Sequence, residues 1–133
     1  MNKINYQKEL DKIIENNKEN KPSLMLHSCC APCSSYVLEY LSKYFDITVF
    51  YFNPNISPES EYIKRVNEVK RLIEEMPDCE DVKFLEGRYN PNEFYDCAKG
   101  LEDAPEGGER CLKCFRLRFK ETANAAAKAG SEY

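Results

Sequence analysis

The sequence lacks the long apolar runs that a membrane-spanning helix requires, and it has no secretory signal. Its longest apolar stretches, such as residues 47–52, fall far short of the ~20 residues of a transmembrane helix. Residues 1–21 mix five lysines with four acidic residues and contain no apolar core, which excludes a signal peptide. We therefore expect a cytoplasmic protein with no membrane partner.

Positive charge is also scarce, because the formal net charge of the chain is −4. This balance argues against a protein that coats nucleic acid through a generally basic surface. The charges are unevenly distributed: residues 74–106 hold eleven acidic and three basic side chains, whereas residues 110–120 hold five cations and no acid. The second of these segments is a candidate anion-binding surface.

Cysteine, in contrast, is abundant. The 133 residues include seven cysteines, two of which, Cys29 and Cys30, are adjacent. With no secretory signal and an odd number of thiols, this clustering indicates metal ligation or thiol chemistry rather than a disulfide framework. The length itself suits one domain with a single core.

Helical and strand patterns alternate along the chain. Apolar periodicity and breaker residues predict helices over residues 5–19, 35–44, 58–76, 91–98 and 110–130, and strands over residues 23–27, 46–53 and 82–85. Ser57 is the predicted N-cap of the third helix and Pro58 its first residue. This alternation predicts an α/β fold with a parallel sheet covered on both faces. A crossover helix normally leads into another strand, so we expect the fold to be incomplete at its C-terminus.

The cysteines fall mainly into two clusters. Cys29, Cys30 and Cys33 follow the first strand, at the carboxyl edge where open α/β sheets bind ligands. Cys111 and Cys114 open the last helix, where the helix dipole lowers a thiol pKa and favours metal binding. If that helix packs beside the end of the first strand, four thiolates can surround one metal centre.

Three kinds of site are compatible with these thiols. A structural zinc site typically uses two Cys-x₂₋₄-Cys pairs, and the adjacent Cys29 and Cys30 are a poor example of one. An iron–sulfur cluster accepts ligands from adjacent residues, so it fits Cys29, Cys30, Cys111 and Cys114 better than a zinc site does. A thioredoxin-like dithiol would use Cys30 and Cys33 and would leave the other thiols unexplained.

The remaining candidates have ordinary interpretations. Cys79, predicted in an acidic surface loop, and Cys97, in a short helix, are expected to be free thiols. His27, the only histidine, is either a hydrogen-bonded core residue or a neighbour of the metal site.

Taken together, the motifs resemble those of the QueH family of epoxyqueuosine reductases. The matching segments are His-Ser-Cys-Cys-Ala-Pro-Cys-Ser at 27–34, Tyr-Phe-Asn-Pro-Asn-Ile-Ser-Pro-Glu-Ser-Glu-Tyr at 51–62, Arg65, Gly-Leu-Glu at 100–102, Pro-Glu-Gly at 105–107 and Arg-Cys-Leu-Lys-Cys-Phe-Arg-Leu-Arg at 110–118. The resemblance covers residues 24–133. It implies a Rossmann-like three-layer α/β/α fold, similar to the adenine nucleotide alpha hydrolases, with a [4Fe-4S] cluster on Cys29, Cys30, Cys111 and Cys114.

The activity implied by this resemblance is that of an oxidoreductase in tRNA processing. The family reduces the epoxide of epoxyqueuosine to the alkene of queuosine at the tRNA wobble position, with electrons from a donor that the sequence does not identify. Cys33 is a candidate ligand for an adjacent single metal ion. The expected partner is tRNA carrying epoxyqueuosine, whose phosphates would contact Arg110, Arg116 and Arg118. No residue is identified as the proton donor to the epoxide oxygen.

Two motifs known from related proteins are missing. The Tyr-Cys-Gly-Cys segment that family members carry near their C-terminus does not occur. The Ser-Gly-Gly-x-Asp-Ser phosphate loop is also absent after the first strand, which disfavours ATP-dependent tRNA thiolation. We expect residues 1–22 to form an N-terminal helical extension and residues 23–133 a single Rossmann-like iron–sulfur domain. The alternative function is that of a non-catalytic zinc-binding module that interacts with tRNA.

Overall fold

The computed structural model describes residues 3–133, and its helices and strands alternate as expected. The elements are α1 (Tyr6–Asn16), β1 (Ser23–His27), α2 (Ala31–Leu41), β2 (Asp46–Tyr51), α3 (Glu59–Glu75), β3 (Lys83–Glu86), α4 (Asn92–Ala98) and α5 (Glu109–Ala129). No helix in this part of the chain combines the length and the apolar character needed to cross a lipid bilayer.

The strands form a parallel sheet in the order β1-β2-β3. Leu24 of β1 lies opposite Ile47 of β2, and Phe50 of β2 lies opposite Leu85 of β3. The predicted parallel sheet of a Rossmann-like three-layer α/β/α fold is therefore confirmed.

The two faces of the sheet bury different side chains because successive residues of a strand point in opposite directions. Ile47, Val49 and Tyr51 of β2 belong to the larger core cluster. Apolar residues of three helices pack in the same cluster: Leu10, Ile13 and Ile14 of α1, Leu38 and Leu41 of α2, and Val66, Val69 and Ile73 of α3. Helices α1, α2 and α3 thus form one outer layer, and the boundary of an N-terminal extension at residue 22 stays a prediction.

The opposite face of the sheet is covered by α5. Met25 of β1 and Phe50 of β2 pack there with Phe52, against Leu117 and two alanines of α5. Small residues such as alanine allow a helix to approach the sheet closely. The ring of Phe119 in α5 contacts that of His27, so the amino-terminal half of this helix lies beside the end of β1.

The backbone that follows α5 returns to the sheet. Gly130 ends the helix in the left-handed conformation, with φ of 69°, which glycine adopts without steric penalty. The Tyr133 amide then donates to the Ser23 carbonyl at 2.9 Å, and the Met25 amide donates to the Tyr133 carbonyl at 2.8 Å. This is the bonding pattern of a parallel strand beside β1, which agrees with the expectation that α5 leads into a further strand.

The helix starts lie within one residue of the predicted ones except that of α2, and the N-cap of α3 also differs from the prediction. Helix α2 begins at Ala31 rather than residue 35, because the Cys30 carbonyl already accepts a hydrogen bond from the Ser34 amide at 3.2 Å. Helix α3 begins at Glu59, and its N-cap is Pro58 rather than Ser57, because the extended Pro58 presents its carbonyl to the first turn. The peptide bond between Ser57 and Pro58 is cis.

Candidate thiol and metal centre

The two cysteine clusters lie at the carboxyl edge of the sheet. The first cysteine segment, residues 28–34, consists of the connection from β1 to α2 and the first turn of α2. The second cysteine segment, residues 111–114, lies in the first turns of α5. The loop after β2, residues 52–58, runs along the same edge, because parallel strands end on the same side. The site is therefore built from three connections that are distant in the sequence.

Buried hydrogen bonds anchor the first cysteine segment to β2 and to the loop behind it. Asn53, which is fully buried, donates from Nδ2 to the Ser28 carbonyl at 2.8 Å. The Tyr51 hydroxyl donates to the Cys29 carbonyl at 3.1 Å, and the Ser28 and Ser34 hydroxyls share a hydrogen bond of 2.6 Å. These bonds hold the backbone that carries the thiols without using the thiols themselves.

The thiols of this segment differ in acidity. Cys30 is the N-cap of α2, and a hydrogen bond from the Cys33 side chain lowers the pKa of its thiol. The same contact raises the pKa of Cys33, which is exposed, while burial raises that of Cys29. The positive charge of Arg65 on α3 acts in the opposite direction on Cys29. Cys30 is accordingly the thiol of this segment that ionises most readily.

In the second cysteine segment, one thiol is buried and the other is half-buried. The expectation that the start of α5 lowers the thiol pKa is wrong for Cys114, because this thiol is only 6% exposed and burial raises its pKa. The Cys111 sulfur accepts a hydrogen bond from the Gly107 amide at 3.3 Å. Cys97 of α4 lies close enough that its thiolate charge further raises the pKa of Cys114.

Arg118 lies between the two cysteine segments. Its Nε donates to the Cys114 carbonyl at 3.4 Å, and its guanidinium carbon lies 4.8 Å from the centroid of the Phe115 ring. Burial raises the pKa of both Cys29 and Cys114, and the positive charge of Arg118 partly offsets this rise. One half-buried cation is thus shared by thiols that are about 85 residues apart in the sequence.

His27 closes the site on the side of β1. Its Nε2 lies 2.8 Å from the Phe52 carbonyl oxygen, and its ring meets the edge of Phe119 with 6.4 Å between centroids. Burial lowers the pKa of His27, and the Arg118 charge lowers it further. A neutral imidazole that donates to a backbone carbonyl fits both predicted interpretations of this residue.

A cavity lies on each side of Arg118. The larger one, of about 370 Å³, borders His27, Cys29 and Phe119. The smaller one, of about 210 Å³, borders Asn55, Cys111 and Cys114. Phe115 and Arg118 contribute to the walls of both cavities, so they separate the space in front of the first segment from that in front of the second.

The donor chemistry of the site fits an iron–sulfur cluster. All four predicted ligands are free cysteines, and thiolates are the ligands of such clusters. Within residues 3–133 no three histidine, cysteine, aspartate or glutamate side chains are arranged so that they could hold one metal ion. The structure therefore brings the two pairs to the same edge, on either side of Arg118, without joining them at one point.

The two remaining cysteines lie in different environments. The prediction of a surface loop for Cys79 is wrong, because this thiol is 1% exposed and belongs to the larger core cluster. Local acidic neighbours suggested exposure, but the side chain turns inward into this core cluster. Cys97 is half-buried on α4 near Cys114, a proximity that spacing along the chain does not indicate.

The three arginines predicted to bind tRNA have different surroundings. Arg116 is exposed on α5. Arg110 is half-buried, and its Nη1 donates to the Glu102 carbonyl at 2.8 Å, which ties the preceding loop to the helix. Arg118 faces the thiols. Only Arg116 therefore has the environment of a simple surface cation.

Sequence reasoning missed the two asparagines that follow β2. Asn53 and Asn55 each have a buried Oδ1 with no hydrogen-bond partner among the described residues. Polar residues directly after a strand, next to another functional strand end, are a signal that could have identified them. Phe115 was also missed, although it stands next to Cys114 and contacts Arg118.

These features define a class: a parallel α/β protein with a thiol-rich site at the carboxyl edge of its sheet, where an arginine separates two cysteine pairs. The family model described as Epoxyqueuosine reductase QueH matches residues 24–133. The chain belongs to this family, which confirms the resemblance identified from the motifs.

Several curated relatives carry the same name. Epoxyqueuosine reductase QueH of Staphylococcus epidermidis is 43% identical over 137 residues, which cover 98% of this chain and 58% of that protein. The proteins of that name from Streptococcus pyogenes and Staphylococcus aureus are 41% and 40% identical, again over 98% of this chain, and are covered to 53% and 57%. The chain thus spans little more than half the length of these relatives.

Proposed function

We propose that this protein acts as an epoxyqueuosine reductase, a cytoplasmic oxidoreductase of queuosine biosynthesis that acts on tRNA. The observation that carries the proposal is the position of two free-cysteine pairs on either side of Arg118, in a chain that belongs to the QueH family. In the reaction, the epoxide takes up two electrons and two protons, both of its C–O bonds break, the oxygen leaves as water, and a carbon–carbon double bond remains.

The cofactor in this proposal is a [4Fe-4S] cluster held by Cys29, Cys30, Cys111 and Cys114. When bound, such a cluster supplies electrons one at a time at a low potential. Cys33 is exposed beside Cys30, where it is a candidate ligand for an adjacent single metal ion. The electrons come from a separate donor, which acts as a second partner besides the tRNA.

The chain's own residues position the reacting groups. Anchoring through Asn53 and Tyr51 supports a fixed position for the first cysteine segment, since its carbonyls are held by buried bonds. Arg118 is placed to face an anionic or strongly polar group that approaches the thiols. Arg110 and Arg116 lie on the same helix as the second cysteine segment and are the proposed phosphate contacts.

Metal analysis tests the ligand set. Anaerobic reconstitution should yield a brown protein with about four irons and four sulfides. Serine substitution at Cys29, Cys30, Cys111 or Cys114 should each remove most of this content. The matched control is Cys97→Ser, because Cys97 lies near Cys114 but is not a proposed ligand, and it should retain the cluster.

Two outcomes would count against the ligand set. Stoichiometric zinc under iron-replete anaerobic conditions would favour the alternative of a zinc-binding tRNA module. Loss of iron in Cys97→Ser equal to that in Cys114→Ser would show that the ligands are assigned wrongly.

The activity is tested on tRNA that carries epoxyqueuosine. The iron-loaded protein and a chemical reductant should convert the modified nucleoside to queuosine, measured by mass spectrometry of the digested tRNA. Cys30→Ser should abolish the conversion. Absence of queuosine with a fully loaded protein would contradict the proposed activity.

A further inference from the structure

The loop before α5 ends in a tight turn beside Cys111. The turn comprises residues 105–108, Pro-Glu-Gly-Gly, and the Gly108 amide donates to the Pro105 carbonyl at 2.9 Å. Gly107, the third residue of the turn, has a φ of 81°. A hydrogen bond between the first and fourth residues, together with a positive φ at the third, is typical of a type II β-turn.

The type of this turn decides where the Gly107 amide points. Between type I and type II turns, ψ of the second residue and φ of the third each change by roughly 150–170°, so the central peptide, which carries this amide, turns over. The type II form needs a positive φ at the third residue, which glycine adopts without steric penalty. A Cβ at Gly107 would meet no heavy atom within 4 Å. The backbone conformation, rather than a lack of space, therefore favours glycine here.

In the observed orientation, the amide of the turn is directed at a cysteine sulfur. Gly107 donates its N–H to Cys111 Sγ at 3.3 Å. The loop that carries this donor is tied to α5 by a separate contact, because Arg110 Nη1 donates to the Glu102 carbonyl at 2.8 Å. The N–H is thus held towards one of the four proposed cluster ligands by the turn and by this contact.

We propose that the hydrogen bond from Gly107 to Cys111 raises the reduction potential of the cluster that Cys111 helps to hold. The inference rests on the proposed function, because only that proposal makes Cys111 a ligand. Reduction adds one electron to the cluster and increases the negative charge on its cysteine sulfurs. An N–H donor stabilises the more negative state, and hydrogen bonds to the sulfurs are among the features that set cluster potentials. Gly107 therefore makes the cluster easier for the electron donor to reduce.

The direct test removes the donor and nothing else. Glycolic acid in place of Gly107 converts the amide into an ester, which lacks the N–H and adds no side chain. The same replacement at Gly100 is the matched control, because Gly100 has the same φ of 81° but donates to Glu102 Oε1 at 3.2 Å rather than to a thiol.

The measured quantity is the midpoint potential of the iron-loaded full chain, from a redox titration followed by electron paramagnetic resonance. The Gly107 ester should have a lower potential than the wild type. We expect the equilibrium constant of one-electron reduction to fall about tenfold, which corresponds to about 59 mV. The Gly100 ester should have the wild-type potential.

Two substitutions at the same position test the geometry of the turn. Gly107→Ala disfavours the positive φ and with it the type II turn, so it should turn the N–H away and lower the potential in the same direction as the ester. Gly107→Asn should keep the wild-type potential, because asparagine tolerates a positive φ. Gly100→Ala imposes the same backbone penalty elsewhere in the loop. A general loosening of the loop would change the potential in both alanine variants alike.

The outcomes separate this inference from the proposed function. A Gly107 ester with the wild-type potential, or an equal shift in Gly107→Asn and Gly107→Ala, would overturn the role of the hydrogen bond and leave the reductase proposal intact. Loss of iron in the Gly107 ester alone would show that the bond retains the ligand instead of setting its potential, which also overturns the inference. The expected shifts without conversion of epoxyqueuosine would contradict the reductase activity and support the role of Gly107.

Discussion

The two cysteine segments are attached to the molecule in different ways. The first cysteine segment is a strand-to-helix connection whose carbonyls are held by buried side chains of β2 and its following loop. The second cysteine segment starts a helix, and the loop before it is held by surface contacts, such as that between Arg110 and the Glu102 carbonyl. One half of the site is thus part of the sheet edge, and the position of the other half depends on how α5 is held.

Helix α5 is attached to the rest of the protein mainly beyond its cysteines. Arg88, in the segment after β3, pairs with Glu121 of α5 and Glu93 of α4, each at 2.7 Å. Its guanidinium carbon also lies 5.0 Å from the Phe52 ring centroid. Two thiol pairs of similar chemistry are therefore positioned in different ways, the first by buried hydrogen bonds and the second by contacts at the protein surface.

The largest expected effect comes from breaking the anchor of the first cysteine segment. Asn53→Ala removes the buried donor to the Ser28 carbonyl and leaves that carbonyl unsatisfied. We expect the free energy of unfolding in urea to fall by about 2 kcal/mol, partly offset because the substitution also removes the unpartnered Oδ1. Arg110→Gln, which acts on the second cysteine segment, should reduce it by less than about 1 kcal/mol. Equal losses of unfolding free energy in Asn53→Ala and Arg110→Gln would show that the two cysteine segments do not differ in how firmly they are attached.

A smaller effect is expected from the ion pair that holds α5. The hydrogen bond from Arg88 lowers the pKa of Glu121 below its ordinary value of 4.5. A lowered folded-state pKa stabilises the protein at pH values above 4.5, and this contribution is lost as the pH falls through the folded-state pKa. Glu121→Gln should therefore reduce the unfolding free energy by about 1 kcal/mol at neutral pH, and the difference from wild type should shrink towards pH 3.

The control for this prediction is Glu75→Gln. Glu75 pairs with Arg71 on α3 at 2.9 Å, but the two side chains are 64% and 76% exposed, so the substitution should change stability little. A Glu121→Gln effect that does not vary with pH would show that packing, rather than charge, attaches α5 at this position.

The smallest expected effect concerns the outer face of α5. Arg116→Gln should weaken tRNA binding and reduce the slope of log K against log salt by about 0.9, the contribution of one phosphate contact. Iron content should be unchanged, because Arg116 is exposed and does not face the thiols. Lys128→Gln, in the last turn of the same helix, is the control for a general loss of positive charge. An unchanged slope in Arg116→Gln would identify this arginine as a solvated side chain.

Much of the fold was predictable because the signals are local. The apolar, β-branched character of Asp46–Tyr51 and the breaker Pro54 predicted β2 to within two residues of its observed end. Gly130 correctly marked the end of α5. The start of α2 was predicted four residues late, because Cys30 serves as an N-cap without the side-chain hydrogen bond that identifies a cap from sequence.

The site was predictable only in part. Residue types and motif spacing indicated the family, and the family model confirms it. They also pointed to Cys29, Cys30, Cys111 and Cys114 as cluster ligands, an assignment that stays a prediction. The role of Arg118 could not be separated from that of Arg116, because both appear in the sequence as cations of one basic helix. Arg116 and Arg118 point about 200° apart around α5, so the face of the helix that packs on the sheet decides which of the two cations points towards the thiols.

The sequence by itself determined the order of helices and strands, the chemistry of the donor groups and the family, because these depend on residue identity and on neighbours within a few positions. Tertiary structure alone decided that Cys79 is buried, that Cys97 lies near Cys114, and that Arg118 stands between the cysteine segments. It also decided that the Oδ1 atoms of Asn53 and Asn55 are buried without a hydrogen-bond partner among the described residues. Such relations join residues far apart in the chain, and they are set by which apolar faces pack together to exclude water.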